Sequence, residues 1–257
     1  MNGIDRNQII EKLKERLEPL EYIYALWLEG ADATGMVDEY SDLDFWVDFE
    51  DEYEEEAYKA VESALEEIAK LDYKHVVKHG HPKIRQRIYH LSGSSEYLMI
   101  DFCWQLHSRE RKECEYIKGN TVETAKVIFD KAEVIRFVDW NPADYTEANK
   151  ARLAECKYRY SQHSRVKKYI RRGLYLEAYA YYNRYVLEPL TDLLRIIYTP
   201  ANADYYLVHI SHHIPDDMLK RLEYFAQINS LDAMEKRIPE AELWFEEMVK
   251  ELESRFQ

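Results

Sequence analysis

Apolar residues recur at helical spacing from Arg6 to Leu20 (Ile9, Ile10, Leu13, Leu17, Leu20), which predicts an amphipathic helix ending near Pro19. Ile23 to Glu29 is rich in aromatic and branched residues and reads as a strand. Gly30 to Ser41 is small and polar and reads as a loop, and Leu43 to Phe49 reads as a second strand. From Asp51 to Lys70 the stripe Ala57, Val61, Ala64, Leu65 and Ile68 predicts a helix. Tyr73 to Lys78, Arg85 to Leu91 and Tyr97 to Trp104 predict three further strands, the last two joined through Ser92-Gly93-Ser94-Ser95 as a hairpin. Lys126 to Phe129 and Val134 to Val138 are short strands or edge pieces. Pro142 disfavours helix at Asn141 and marks a boundary. Beyond it the pattern predicts helices over Thr146–Arg171, Leu174–Tyr198, Asp204–His212, Pro215–Ile228 and Ser230–Phe256. The expected organisation is an α/β domain over residues 1–141 and an all-helical domain over residues 142–257.

Composition narrows this picture. Only seven glycines and seven prolines occur in 257 residues, too few for the many tight turns of a sandwich or barrel. No run reaches the roughly 18 apolar residues of a membrane span, so no membrane partner is expected. Met1 to Glu18 is charged, helical in pattern and without the apolar core of a signal peptide. Cys103, Cys114 and Cys156 are odd in number and widely spaced; this argues against a disulfide framework and fits a reducing cytoplasm. The net charge of −14 weighs against a nucleic-acid partner.

The charge is uneven. Fifteen acidic and two basic residues lie between Asp38 and Asp72, whereas nine basic and one acidic residue lie between Lys150 and Arg172. Two solvated helix faces would account for this. An acidic metal site and a basic anion site, as a magnesium nucleotide requires, would account for it too.

The chemistry concentrates where the chain enters its second strand. Asp42 and Asp44 are two apart, so on a strand both carboxylates project from one face, while Leu43, Phe45 and Val47 fill the core from the other. Such a pair is costly unless a cation lies between the two groups, and Mg²⁺ suits it. Asp101 lies in an otherwise apolar strand, Tyr97 to Phe102. There it could complete a three-carboxylate site, as general base or as a further metal contact. Gly30 follows a strand and permits close approach of backbone to ligand. A helix starting just beyond it would offer N–H groups to phosphate. Gly35 gives the loop a second flexible point. Glu29 beside the loop could help hold the metal but is not counted among the site residues.

The stretch Gly30-Ala31-Asp32-Ala33-Thr34-Gly35, with Ser41-Asp42-Leu43-Asp44, resembles the signature of the DNA polymerase β-like nucleotidyltransferase superfamily. It is especially similar to the branch of aminoglycoside and lincosamide nucleotidyltransferases, whose loop runs G-S-x-A-x-G-x-x-x-x-x-S-D-x-D. Gly30, Ala33, Gly35, Ser41, Asp42 and Asp44 match without a gap. Ala31 replaces the usual Ser, removing a hydroxyl that helps hold the triphosphate and leaving the backbone N–H; Thr34 replaces the common Arg. Weakened nucleotide binding is expected.

In the second half, Arg165 to Gly173, Glu188-Pro189-Leu190 and Leu193-Leu194-Arg195 resemble the helical domain of streptomycin-type adenylyltransferases. A lysine there helps grip the nucleotide; Lys168 is the best positional match, with Lys167 as competitor.

The resemblance implies an α+β fold: a mixed sheet flanked by helices, followed by a C-terminal helical bundle. It implies transfer of a nucleoside monophosphate from ATP or another NTP, held with Mg²⁺ in a cleft between the domains, to a small hydroxylated acceptor such as an aminoglycoside-like antibiotic. Gly30, Ala31, Ser41 and Lys168 would bind nucleotide, Asp42, Asp44 and Asp101 would hold metal, and Asp101 would act on the acceptor hydroxyl. The other class left open is a catalytically weak or inactive module that binds a nucleotide or a partner on the same fold. Exposed Tyr and Leu on the long helices would permit a homodimer. Weaker signals favour structural roles: His79-Gly80-His81 as surface loop, His212-His213 as a helix end, and Tyr175, Tyr179, Tyr182 and Tyr185 as core or interface.

Overall fold

The first apolar stripe forms helix α1, Arg6–Leu17, capped by the Asp5 carboxylate accepting from the Gln8 amide at 2.9 Å. A computed structural model describes residues 4–257; the first three residues of the segment read above as Met1 to Glu18 lie outside the described residues. The chain divides into two compact units, Met1–Trp140 and Asn141–Gln257.

In the first unit β1 (Ile23–Leu28), α2 (Gly30–Thr34), β2 (Leu43–Phe49), α3 (Glu54–Glu66), β3 (Leu71–Val77), β4 (Ile84–Leu91) and β5 (Ile100–Leu106) follow α1. Then come β6 (Glu115–Ile117), β7 (Lys126–Asp130) and β8 (Arg136–Val138). Six strands form a mixed sheet in the order β3-β4-β5-β2-β1-β7, parallel at β2–β5 and antiparallel elsewhere. The fold is a mixed sheet flanked by helices, as expected.

Alternation in β2 decides which face is dry. Leu43, Phe45, Val47 and Phe49 are fully buried and share one core with Phe102 and Trp104 of β5, Ile9, Leu13 and Leu17 of α1, and Val61 and Leu65 of α3. Phe45 stacks on Phe102 at 5.2 Å, and Tyr58 meets the Trp104 edge at 4.7 Å. Burying each such side chain contributes about 1.5–3 kcal/mol. The opposite face carries Trp27, stacked on Trp46 at 5.8 Å, under a smaller cluster with Tyr116 of β6 and Val134.

Three expectations change here. The segment after Gly30 is a short helix, closed by Gly35 in the left-handed conformation (φ 76°) and by Thr34 Oγ1 donating to the Gly30 carbonyl at 2.9 Å. The acidic helix is shorter than its stripe: Asp51–Tyr53 is a 3₁₀ turn, and Ile68 lies past the end, half-buried. Strand β6 is new; three residues carry no periodicity, and its pairing with β8 is a tertiary contact.

The second unit comprises α4 (Ala143–Ser161), α5 (Ser164–Arg171), α6 (Tyr175–Tyr182), α7 (Glu188–Tyr198), α8 (Ile210–His213), α9 (Asp216–Ala226) and α10 (Leu231–Arg255). It is helical and has its own core. The expected helix Thr146–Arg171 breaks in two, with the His163 ring bonded to the Tyr160 carbonyl at 2.8 Å. Before α7 the chain makes a π-helical turn, Asn183–Leu187. Pro189 there lacks the N–H that an α-helix would donate to Tyr185. Among the described residues no helix is long and apolar enough to cross a membrane.

Most of Asp204–His212, expected as helix, is instead turn, with Tyr206 and His209 at φ 48° and 50°. Its backbone is gathered by Arg195, which is fully buried. Nε donates to the Tyr206 carbonyl at 2.7 Å, Nη2 to the Val208 carbonyl, and Nη1 to His213 Nδ1 at 3.0 Å. Burial and the facing guanidinium lower the His213 pKa from 6.5 to about 4. In the unfolded chain His213 protonates near 6.5, so its stabilising contribution is present above that pH and lost as pH falls toward 4. Urea denaturation from pH 8 to 4 should show His213→Gln flattening the acid-side loss of stability relative to wild type.

Candidate active site

Strand β2 begins at Leu43, so Asp42 stands one residue ahead of it, exposed, while Asp44 is half-buried on the face opposite Phe45. The parallel register sets Asp44 directly beside Asp101 of β5. On the other flank the Glu29 amide donates to the Asp44 carbonyl at 2.9 Å, placing Glu29 at the end of β1. Glu29, Asp44 and Asp101 therefore form a row across three neighbouring strands, which are spaced about 4.8 Å apart. Like charges directly opposite one another repel.

The electrostatics follow. Burial, then the charges of Asp42, Asp101, Glu29 and Asp32, push the Asp44 pKa up to about 7. Burial also raises Asp101, opposed by the Gln86 amide, whose Nε2 donates to both carboxylate oxygens at 2.9 and 2.7 Å. Glu29 is raised to about 7, again chiefly by burial. A relay holds it: Trp27 Nε1 donates to the Tyr116 hydroxyl at 2.8 Å, and that hydroxyl donates to Glu29 Oε1. The Cys103 thiol is pushed up by burial and by Asp101, Glu29 and Asp44, which suits an inert neutral thiol.

Gly30 is fixed by the same crowding. Its φ is 55°, and a side chain there would collide with Asp44 Oδ2. It opens α2, whose first-turn N–H groups have no partner within the helix; Ala31, half-buried, follows it. The Ser41 hydroxyl accepts from the Asp38 amide at 2.9 Å and donates to Asp38 Oδ1 at 2.8 Å, locking the turn into Asp42. Lys168 lies in the second unit, exposed on α5, as does Lys167.

Arg6 is a residue that sequence reasoning missed. From the start of α1 its Nη2 bonds the buried Asp32 carboxylate and the Asp42 carbonyl (2.7 Å), and its Nη1 bonds the Ser41 carbonyl at 3.1 Å. Nothing in the sequence signals this, because the partners lie 26 to 36 positions away. Gln86 and Tyr116 were missed for the same reason, whereas Glu29 was noted beside the loop without its partners. The bland readings are compatible with the geometry elsewhere: His81 contacts Glu113 at 3.3 Å, and Tyr182 is buried with its hydroxyl donating to the Phe225 carbonyl.

Among the described residues no three His, Cys, Asp or Glu side chains form a ready-made metal cage. The donor set still fits a hard divalent cation. Magnesium takes one or two carboxylates and fills the rest of its shell with phosphate oxygens and water. Asp42 and Asp44 offer that pair, and Asp44 is driven toward protonation first by burial and then by surplus negative charge, the part that a cation would relieve. With a chelator present, the Asp44 contribution is complete below about pH 3.8, its ordinary value, and is lost as pH rises through about 7. Asp44→Asn should therefore raise the melting temperature at pH 8 by about 2–6 °C in EDTA and reduce its fall between pH 4 and 7, as scanning calorimetry would show.

Three solved structures align along almost all of the chain with low overall similarity. Spectinomycin adenyltransferase AAD(9) from Enterococcus faecialis, determined with ATP and spectinomycin, is 12% identical, with 97% of this chain and 100% of that chain covered and a TM-score of 0.33. A nucleotidyltransferase-like protein from Exiguobacterium sibiricum is 10% identical (96% and 75% covered, TM-score 0.39). JHP933 from Helicobacter pylori is 13% identical (98% and 96% covered, TM-score 0.29). No curated protein matches the chain. The family model for the nucleotidyltransferase domain matches residues 7–133, the segment that contains the Gly30 turn, Asp42, Asp44 and Asp101. Residues 7–133, just under half of the chain, are thus similar to the nucleotidyltransferase domain family.

Proposed function

We propose that the protein transfers a nucleoside monophosphate, AMP from MgATP, to a hydroxyl of a small acceptor. The observation that carries this reading is the wedging of Asp44 between the Gly30 backbone and Asp101. Crowded carboxylates are costly in a resting fold and useful where a cation and a polyphosphate arrive together.

Asp42 and Asp44 would hold Mg²⁺. When bound, the ion would supply charge neutralisation to the phosphates. The backbone at Gly30 and Ala31 lies against the phosphates, with no side chain at residue 30 to hold them off. Asp101, steadied by Gln86, accepts the proton of the attacking hydroxyl; its raised pKa brings it nearer the working range of a general base. Ser41 keeps the turn that presents Asp42. Lys168, or Lys167, would neutralise charge on the departing pyrophosphate. The acidic sheet face favours a cationic acceptor such as an aminoglycoside-like polyamine. The domain roles follow: residues 1–141 carry the chemistry, and residues 142–257 grip nucleotide or acceptor.

A second reading, a module that binds nucleotide without turnover, is favoured by Ala31, which lacks the hydroxyl usual at that position. The two separate by measurement. Isothermal titration of ATP and of each other NTP, with and without Mg²⁺, should show binding that requires Mg²⁺ and disappears in Asp42→Asn/Asp44→Asn; transfer to a panel of hydroxylated amines should disappear with it. Folded wild type that binds no nucleotide overturns the enzyme reading, and transfer that survives in the double variant overturns the assignment of Asp42 and Asp44 as the metal-holding pair. Binding without transfer to any acceptor supports the module. Ala31→Ser should tighten nucleotide binding by about three- to tenfold, the worth of one added hydrogen bond; an unchanged Kd would place the triphosphate elsewhere.

A further inference from the structure

We infer that Arg6 is a positioning residue for the metal–nucleotide site. Its guanidinium fixes the backbone that presents Asp42 against the helix that begins at Gly30. The inference rests on the reading of that site given above.

The geometry is specific. Arg6 Nη1 reaches the Ser41 carbonyl at 3.1 Å and Nη2 the Asp42 carbonyl at 2.7 Å, while Nη2 also pairs with Asp32 Oδ2. Asp32 lies in α2, two residues past Gly30, and its side chain is 4% exposed. One planar group thus joins the two halves of the motif: the helix at the proposed phosphate cradle and the turn into Asp42. Such a fork cannot be replaced by an ammonium, which is a single point of charge. The guanidinium is itself largely desolvated; its Nε is buried without a hydrogen-bond partner. Neutralising Asp32 alone would not need this arrangement, because Lys126 Nζ also lies 3.7 Å from Asp32 Oδ1. Among the described residues the Ser41 and Asp42 carbonyls are held by Arg6 and not by Lys126, and that contact is the part assigned to Arg6. Arg6 touches neither substrate nor metal in this scheme. It acts through the placement of Asp42, since the direction of the Asp42 side chain follows the peptide whose carbonyl Arg6 holds.

Two variants separate positioning from plain stability. Arg6→Lys keeps a positive charge beside Asp32 but cannot fork to both carbonyls. Arg6→Met/Asp32→Asn removes charge from both partners and leaves no uncompensated buried carboxylate. Melting temperature, MgATP affinity by titration calorimetry, and the Mg²⁺ concentration giving half-maximal binding are measured for wild type and both variants. The expected result is near-wild-type melting for the double variant, with MgATP affinity and Mg²⁺ sensitivity weakened roughly tenfold in both. Variants that bind MgATP with wild-type affinity and Mg²⁺ dependence would reduce Arg6 to a neutralising partner of Asp32 and overturn this inference alone. A folded wild type that binds no MgATP would overturn the inference together with the reading beneath it. Weakened binding that tracks a lowered melting temperature, and recovers fully on cooling, would assign Arg6 to stability and also overturn it.

Discussion

The parallel pairing of β2 with β5 brings Asp44 and Asp101 side by side on a half-buried sheet face, and the turn after β1 closes onto the same spot at Gly30. Much of the first unit follows from holding that arrangement together. Mutual repulsion and burial drive Asp44 toward a neutral form. The opposing stabilisation comes from the other face of the same strands, where Leu43, Phe45, Val47 and Phe49 pack against β5, α1 and α3. Strand alternation therefore assigns one side of β2 to cohesion and the other to chemistry. A site that is unfavourable by itself persists because its backbone is over-determined by a dry core one side chain away.

Helix α1 serves both purposes. Ile9, Leu13 and Leu17 are fully buried in the sheet-covering core, and Arg6, one turn earlier on the same face, extends to Asp32, Ser41 and Asp42. Packing of the helix and placement of the turn into Asp42 are consequently linked through a rigid element. The Trp27–Tyr116–Glu29 relay is a counterpart on the other flank, where buried polar groups find partners in series.

The second unit shows the same dependence on one cation at larger scale. Arg195 satisfies carbonyls of a turn-rich segment together with His213. A guanidinium can organise such a segment because its five donors are fixed in a plane. Tyr206 and His209 adopt left-handed backbone, costly for bulky side chains and tolerated where the contacts are this strong.

Much of the local structure was legible in the amino-acid order. The stripe Ile9-Leu13-Leu17, the alternation Leu43-Phe45-Val47 and the motif from Gly30 to Asp44 are local patterns, and local patterns report period and turn chemistry. They sufficed for the strands of the large sheet, for the helical character of the second half and for the family of residues 7–133. Where the sequence reading erred, a distant contact had decided the outcome. Asp204–His212 has helical composition and yet wraps around Arg195, and β6 exists only through β8; the coil after Gly30 is the exception, closed locally by Gly35 and Thr34. Asp101 was expected beside Asp42 and Asp44, but the side chains that hold the site's carboxylates and turn were beyond reach. Arg6, Gln86 and Tyr116 come from separate elements, and their convergence depends on sheet order and register. The sequence by itself determined which residues are able to do chemistry and which face of each element is apolar. Tertiary structure decided which of those residues share a charge environment, because side-chain electrostatics depends on distances of a few ångströms that sequence separation does not encode.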